Sequence, residues 1–202
     1  QNELSLAPEL IVKAEISTEF DTLGVGVDLS AGIREKNDYT VMVLGGRIDD
    51  RVHIIDYRRI RVMGNLEKLD AMKELLNDWS IIQVDQGGLY YPTHSTCDIW
   101  SEAVQYQASL EADFKRICLQ NESLYNLIWH PVKGFRGDKL ARFRGIMGMF
   151  EDRKIIFNRY RNFTNMFEEL TNFGVSGHDD CVDALVWLVT GLMKKGHLQL
   201  DF

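Results

Sequence analysis

Short apolar runs closed by an acid, separated by amphipathic stretches, set the pattern of this chain. Leu23 to Leu29 reads LGVGVDL, a buried strand running into Asp28. Ser30 to Asp38 is polar, carries Gly32 and Asn37, and predicts a loop. Tyr39 to Leu44 predicts a second strand, and Gly45-Gly46 with Asp49-Asp50 supplies turn residues. Arg51 to Val62 alternates apolar and polar positions, which predicts a third strand antiparallel to the second. Asn65 to Trp79 places Leu66, Leu69, Met72, Leu75 and Leu76 at helical spacing. Ser80 to Val84 is another apolar run, closed by Asp85, and a Gly- and Tyr-rich loop leads to a helix expected from about Ile99 to Leu119. Leu124 to His130 predicts a strand, Asp138 to Phe150 a helix, Ile155 to Phe157 a short extended segment, and Tyr160 to Phe173 a helix. Asp179 to Lys195 closes the series with a helix whose apolar face holds Val182, Leu185, Val189 and Leu192, with Gly196 as its stop.

Three strands in a meander, then alternating helices and strands, predict an α/β fold around one mixed sheet flanked by helices. An antiparallel three-strand meander with parallel strands added is the order of an RNase H-like sheet. Residues 1 to 20 are expected to be an N-terminal connecting arm, and residues 21 to 202 one domain. The chain of 202 residues, 45% hydrophobic and 26% charged, has the balance of an ordinary globular domain. No apolar run approaches the roughly 20 residues of a membrane helix, and no signal-peptide pattern opens the chain. Cys97, Cys118 and Cys181 are scattered and form no CxxC pair, which argues against a zinc site or a disulfide framework.

A net charge of −7 speaks against indiscriminate coating of nucleic acid. The charge is unevenly spread, however. From His130 to Asn162, nine basic residues face only Asp138, Glu151 and Asp152, a local excess of six positive charges. Separate acids for cations and bases for phosphates are what a metal-dependent nuclease requires. Lys133, Arg136, Lys139 and Arg142 are the leading DNA-binding candidates, and a solvated helix face is the plain alternative.

Three acidic positions stand where buried structure meets a loop or a helix start: Asp28, Asp85, and the group Asp179, Asp180 and Asp183. If the first and fourth strands are neighbours, Asp28 and Asp85 emerge side by side. Asp180 and Asp183 share a helix face. Carboxylates so gathered repel one another, and hard divalent cations such as Mg²⁺ or Mn²⁺ relieve that repulsion. Two ions roughly 3.5–4 Å apart would clamp the attacking and leaving oxygens of a phosphodiester. Asp28 or Asp85 taken alone reads more readily as a turn or cap residue, and Asp179 and Asp180 also suit helix caps; the set is more specific than any member. His178, the one histidine beside the acids, is a candidate supporting or proton-handling group, or a structural loop residue. No Walker-type GxxxxGK[ST], GxSxG elbow or HExxH occurs.

The stretch GHDDCVDAL, with the Lys-Arg helix, short strand and paired-Glu helix before it, resembles the third acidic motif of tailed-bacteriophage terminase large-subunit nucleases. VGVDLSAGIREKNDYTVMVLG resembles the first motif and IIQVDQGG the second, so the resemblance runs from Leu23 to Val189. It implies metal-binding roles for Asp28, Asp85 and Asp180, a fourth carboxylate in Asp183, and support from Asp179. Some members have Glu at the second motif, where Asp85 is matched here. The implied activity is Mg²⁺- or Mn²⁺-dependent cutting of concatemeric double-stranded viral DNA during packaging, with two ions. The implied partners are the terminase ATPase domain, the small terminase subunit and the portal, with no membrane, in the host cell cytoplasm. A RuvC-like Holliday junction resolvase would use the same acids on branched DNA, and a portal-docking domain with a dormant site is the non-enzymatic alternative.

Overall fold

The computed structural model describes residues 5–29, 39–62, 64–102, 107–121, 123–132, 139–175 and 179–198. The first described element of the main sheet, β1 (Val12–Ala14), lies in the expected arm. The meander follows as β2 (Thr22–Asp28), β3 (Thr40–Ile48) and β4 (Arg51–Ile60). Asp49 adopts a positive φ of 53° in the tight turn between β3 and β4, a conformation Asp tolerates better than most residues. Gly45 and Gly46, expected in that turn, lie inside β3 instead and extend it. After α1 (Asn65–Asp78) come β5 (Ile82–Val84), β6 (Tyr90–Pro92), β7 (Cys97–Glu102), α2 (Gln107–Gln120) and β8 (Leu127–Val132). The chain continues through α3 (Lys139–Glu151), β9 (Ile155–Asn158), α4 (Thr164–Thr171) and α5 (Asp180–Leu198). The last helix runs past Gly196, the expected stop.

Seven strands form one mixed sheet in the order β1-β9-β4-β3-β2-β7-β8. The meander is antiparallel, whereas β7 runs parallel to β2, and β8 parallel to β7. This is the mixed α/β sheet of the RNase H-like fold. The described part of the arm is built into it: β1 pairs with β9, and Leu6 is buried in the core.

Two apolar layers cover the sheet. Phe143, Ile146 and Phe150 of α3, Met166 and Leu170 of α4, and the apolar side of α5 pack on one face with Val41, Val43 and Phe157. Leu69, Met72, Leu75 and Leu76 of α1, with Leu110, Phe114 and Ile117 of α2, pack on the other with Val25, Val27 and Leu44. The central helix α5 comes unusually close to the sheet because β2 gives it room. A Cβ added to Gly26 would meet the Leu188 backbone nitrogen at 2.7 Å and Leu188 Cβ at 2.8 Å. The indole of Trp100 fills the space between Gly24 of β2 and Gly191 of α5, where neither residue has a side chain to obstruct it. From Asp28 back to Gly24 the helix therefore advances from its first turn to Gly191, so α5 runs antiparallel to β2. Its acidic first turn lies over the end of β2 that carries Asp28.

Candidate functional site: an acidic sheet edge

Strand alternation decides which acids face α5. Gly24 and Gly26 point at the α5 layer, so Asp28, two residues further on, points to the same side. On β7, Asp98 and Trp100 contact α5, since Lys195 pairs with Asp98 and Trp100 meets Gly191. Glu102 therefore faces α5 as well. Val27 pairs with Ser101 in the parallel ladder, which brings Asp28 and Glu102 out side by side at the C-terminal ends of β2 and β7. Both are partly buried.

The first turn of α5 completes the edge. Along the helix, Ala184, Leu188 and Gly191 form the stripe against the sheet, and Asp180 lies one turn before Ala184 on that stripe. The carboxylate Oδ2 of Asp180 accepts from the Tyr39 N–H at 3.4 Å, just before β3 begins, and Val41 of β3 is the register partner of Asp28. Asp183 stands three residues on, and its N–H donates to the Asp179 carbonyl at 2.9 Å, which makes Asp179 the residue leading into the helix. Asp28, Glu102, Asp180 and Asp183 thus share one edge. His178 lies outside the described residues.

A buried carboxyl supports this helix start. Glu169 of α4 is buried, and its Oε1 accepts from the Cys181 N–H at 3.1 Å, satisfying one of the open donors of the α5 N-terminus. Burial pushes the Glu169 carboxyl above the usual carboxylate range. Its bond to Cys181 and the Arg59 guanidinium act against that rise, while Asp180 adds to it. Oε2 of Glu169 makes no hydrogen bond among the described residues. The Cys181 thiol is buried and held far on its protonated side, so it is a packing group and not a nucleophile.

Asp85 is not at this edge. Among the described residues, the strand before it, β5, pairs only with β6 in a separate two-stranded sheet, and the neighbour of β2 is β7. Ile81, at the root of that hairpin, is tied by Asn126 and Thr93 near the beginnings of β7 and β8, whereas the acidic edge lies where β2 and β7 end. The Asp85 carboxylate closes its own turn: Oδ1 accepts from Gly87 N–H at 2.8 Å and Leu89 N–H at 2.9 Å. The side-by-side position expected of Asp85 belongs to Glu102. The helix expected from Ile99 hid it, because Cys97–Glu102 is a strand and α2 begins only at Gln107. The signal in the sequence was CDIWSE, with β-branched and aromatic residues and an acid at its end.

The basic segment is divided by the fold. Lys133 and Arg136 lie outside the described residues, although β8 ends at Val132 beside Glu102 in the ladder. Lys139 opens α3. The Arg142 guanidinium lies 5.4 Å over the buried Trp187 ring, at the packing of α3 on α5. Lys154 pairs with Asp50 at 2.9 Å on the β3–β4 turn, the end of the sheet opposite Asp28, and Arg161 lies over Trp79. No helix among the described residues is long and apolar enough to cross a membrane.

Among the described residues, no three Asp, Glu, His or Cys side chains stand close enough together to hold a metal ion as they are. The acids share an edge without forming a closed nest. Their donors are all carboxylate oxygens, the ligand chemistry of Mg²⁺ or Mn²⁺.

No curated protein sequence matches the chain. Solved structures do, at low identity. The nuclease of the large terminase from thermophilic phage G20c, solved with bound zinc, shares 12% identity at a TM-score of 0.60, over 94% of this chain and 98% of that one. The same nuclease with bound magnesium aligns at a TM-score of 0.55 and 14% identity, over 91% and 94% of the two chains. The large terminase of a second thermophilic bacteriophage, in complex with ADP, aligns at a TM-score of 0.62 and 11% identity. That alignment covers 93% of this chain but 44% of the other, so this chain spans less than half of that protein. These likenesses establish the fold. The family model of the terminase RNaseH-like domain matches residues 25–191, a span from β2 into α5 that contains the whole acidic edge, and the chain belongs to that family.

Proposed function

We propose that this domain is a metal-dependent endodeoxyribonuclease that cuts concatemeric double-stranded viral DNA during genome packaging. The observation that carries the reading is the meeting of Asp28, Glu102, Asp180 and Asp183 at one sheet edge, from two parallel strand ends and a helix start. Carboxylates ranged along one edge repel one another as they draw together without a counter-charge. Their oxygens suit two hard divalent cations, Mg²⁺ or Mn²⁺, and the related phage nuclease has been solved with bound magnesium, cobalt and zinc. Bound there, such ions would supply Lewis acidity towards a phosphoryl oxygen and a lowered pKa for an attacking water.

The remaining work falls to the chain itself. Asp28 and Glu102 would hold cations from rigid strand ends, and Asp180 and Asp183 from the helix that closes on them. Glu169 fixes that helix through the Cys181 N–H. Tyr39, by donating to Asp180, orients the carboxylate from the β3 side. Lys133, Arg136, Lys139 and Arg142 are proposed to hold phosphates on the α3 side. By its family the domain would act beside the packaging ATPase of a large terminase, with the small subunit and the portal as partners, in the host cell cytoplasm.

The test is supercoiled-plasmid cleavage by the purified protein in Mg²⁺, Mn²⁺, Ca²⁺ and EDTA. Nicking and linearisation in Mg²⁺ or Mn²⁺ are expected, with none in EDTA and none from Asp28→Asn or Asp180→Asn. Cleavage that survives EDTA, or wild-type rates in Asp28→Asn, would overturn the proposal.

A further inference from the structure

The acidic edge also has arginines beside it at the end of β4, on the β3 side of β2 and away from β7 and β8. The last residues of β4 and the residue after it read Arg58, Arg59, Ile60 and Arg61. Ile60 pairs with Thr40, so this end of β4 lies beside the start of β3 and on the same edge as Asp28. Alternation sends the arginines two ways. Arg58 faces the α1 layer, where Asp56 and Asp78 neutralise it. Arg59 and Arg61 face the other side, with their guanidinium carbons 3.5 Å and 4.9 Å from the centre of the Tyr39 ring. Tyr39 is the residue whose N–H binds Asp180. Two arginines on one aromatic ring therefore border a carboxylate of the proposed metal site.

This arrangement suits a phosphodiester better than a protein carboxylate. A guanidinium is attracted to an aromatic ring, and its planar fork of N–H donors matches two phosphate oxygens. Arg61 is solvent-exposed and Arg59 is partly buried. From β4 to β2 is two strand spacings, roughly 10 Å. At a rise of about 3.4 Å per nucleotide, that is about three nucleotides along one strand.

We propose that Tyr39, Arg59 and Arg61 form a phosphate-binding station for the DNA backbone within a few nucleotides of the cut, on the β4 side of the acids. The inference rests on the nuclease reading above and adds to it a second strand-holding surface. Cations at the end of β4 would hold the duplex backbone on that side of the scissile bond.

The experiment measures binding of a fluorescent duplex in Ca²⁺ by anisotropy, across a series of NaCl concentrations. The proteins are wild type, Arg61→Gln, Arg61→Lys and the double change Arg59→Gln with Arg61→Gln. Wild type that neither binds nor cuts DNA refutes the nuclease reading itself. With wild-type binding in hand, Arg61→Gln should lower the salt slope by about 0.9, the loss of one phosphate contact. Between 50 and 200 mM salt its affinity then falls about threefold less than that of wild type. Arg61→Lys should keep the slope, and the double change should lose about twice as much. Because Arg61 is exposed, Arg61→Gln decides the matter even if the double variant melts early. Wild-type slopes in Arg61→Gln, or equal losses in Arg61→Gln and Arg61→Lys, overturn the proposal.

Discussion

Gly26→Ala tests the link between packing and the site, because the one added methyl has nowhere to go. At its ideal position the new Cβ stands 2.7 Å from Leu188 N and 2.8 Å from Leu188 Cβ, and closer still to the Ala184 carbonyl. Restoring the 3.4 Å of ordinary contact to Leu188 N alone requires the helix to retreat by about 0.7 Å, and the carbonyl demands more. Two of these obstacles are backbone atoms of a central helix, so no rotamer change relieves them. Overpacking of a close-packed interior costs about 1–3 kcal/mol, and rigid backbone obstacles put this case at the upper end. For a domain of this size, a loss of about 2–3 kcal/mol lowers Tm by roughly 4–12 °C. The retreat also carries Asp180 and Asp183 away from Asp28 and Glu102, and a misplacement near 1 Å can cost about 100-fold in rate. Thermal melts and plasmid cleavage of Gly26→Ala read both effects. Gly145→Ala is the control: it lies inside α3, where an added Cβ meets nothing within 4 Å. It should gain up to about 1 kcal/mol from helix propensity. A Gly26→Ala protein with wild-type Tm and wild-type cleavage would refute the argument that α5 seats its acids through this contact.

Further outcomes follow from other buried groups. His53 packs edge-on against Phe20, and burial holds its imidazole below the usual histidine range, with Arg51 adding to the effect. The unfolded chain therefore takes up the proton first, so its share of stability is present above about pH 6.5 and is lost as pH falls towards the folded pKa. Melts between pH 7.5 and 5.5 should show a Tm decline that is shallower in His53→Gln. Burial pushes the Cys118 thiol up to about 11, and Cys97 and Cys181 are buried more deeply. Thiol labelling of the native protein at pH 8 should be slow at Cys118 and absent at the other two until denaturant is added. Replacing Lys139 and Arg142 with Ala should weaken DNA binding and flatten its salt dependence. Because Arg142 also covers Trp187, that variant should lose some thermal stability as well.

Much of the fold was legible because its elements follow simple periods. The strands β2, β3 and β9 are continuous apolar runs buried on both faces, and α1 and α5 bury apolar residues at helical spacing, so the sequence shows each pattern directly. Asp28 and Asp180 were legible for the same reason, since each ends or opens such an element. What misled was the second acid. Ser80 to Val84 is apolar and ends in an acid, yet Ile81 and Ile82 anchor a hairpin outside the main sheet. The true neighbour of β2 carries Asp98 in its middle, where a buried strand usually has an apolar side chain. Asp98 is tolerated because Lys195 and His130 pair with it, the latter at 2.7 Å, and both partners are remote in sequence. That long-range compensation is invisible to a reading of local periods, and Glu102 was hidden with it. The arginine pair on Tyr39 escaped for a related reason. Alternation alone separates Arg59 and Arg61 from Arg58, and the ring that gathers them stands a whole strand earlier in the chain.

The central claim is that the acids at the ends of β2 and β7 and at the start of α5 bind the cations that cut DNA. The most direct measurement compares Glu102→Gln with Asp85→Asn in plasmid cleavage with Mn²⁺, alongside Mn²⁺ binding by calorimetry. The account predicts that Glu102→Gln loses cleavage and most Mn²⁺ affinity while its EDTA melt stays within a few degrees of wild type. Asp85→Asn, which alters only the acceptor of an exposed turn, should cut and bind Mn²⁺ as wild type does. Loss of cleavage in Asp85→Asn with full activity in Glu102→Gln would contradict it.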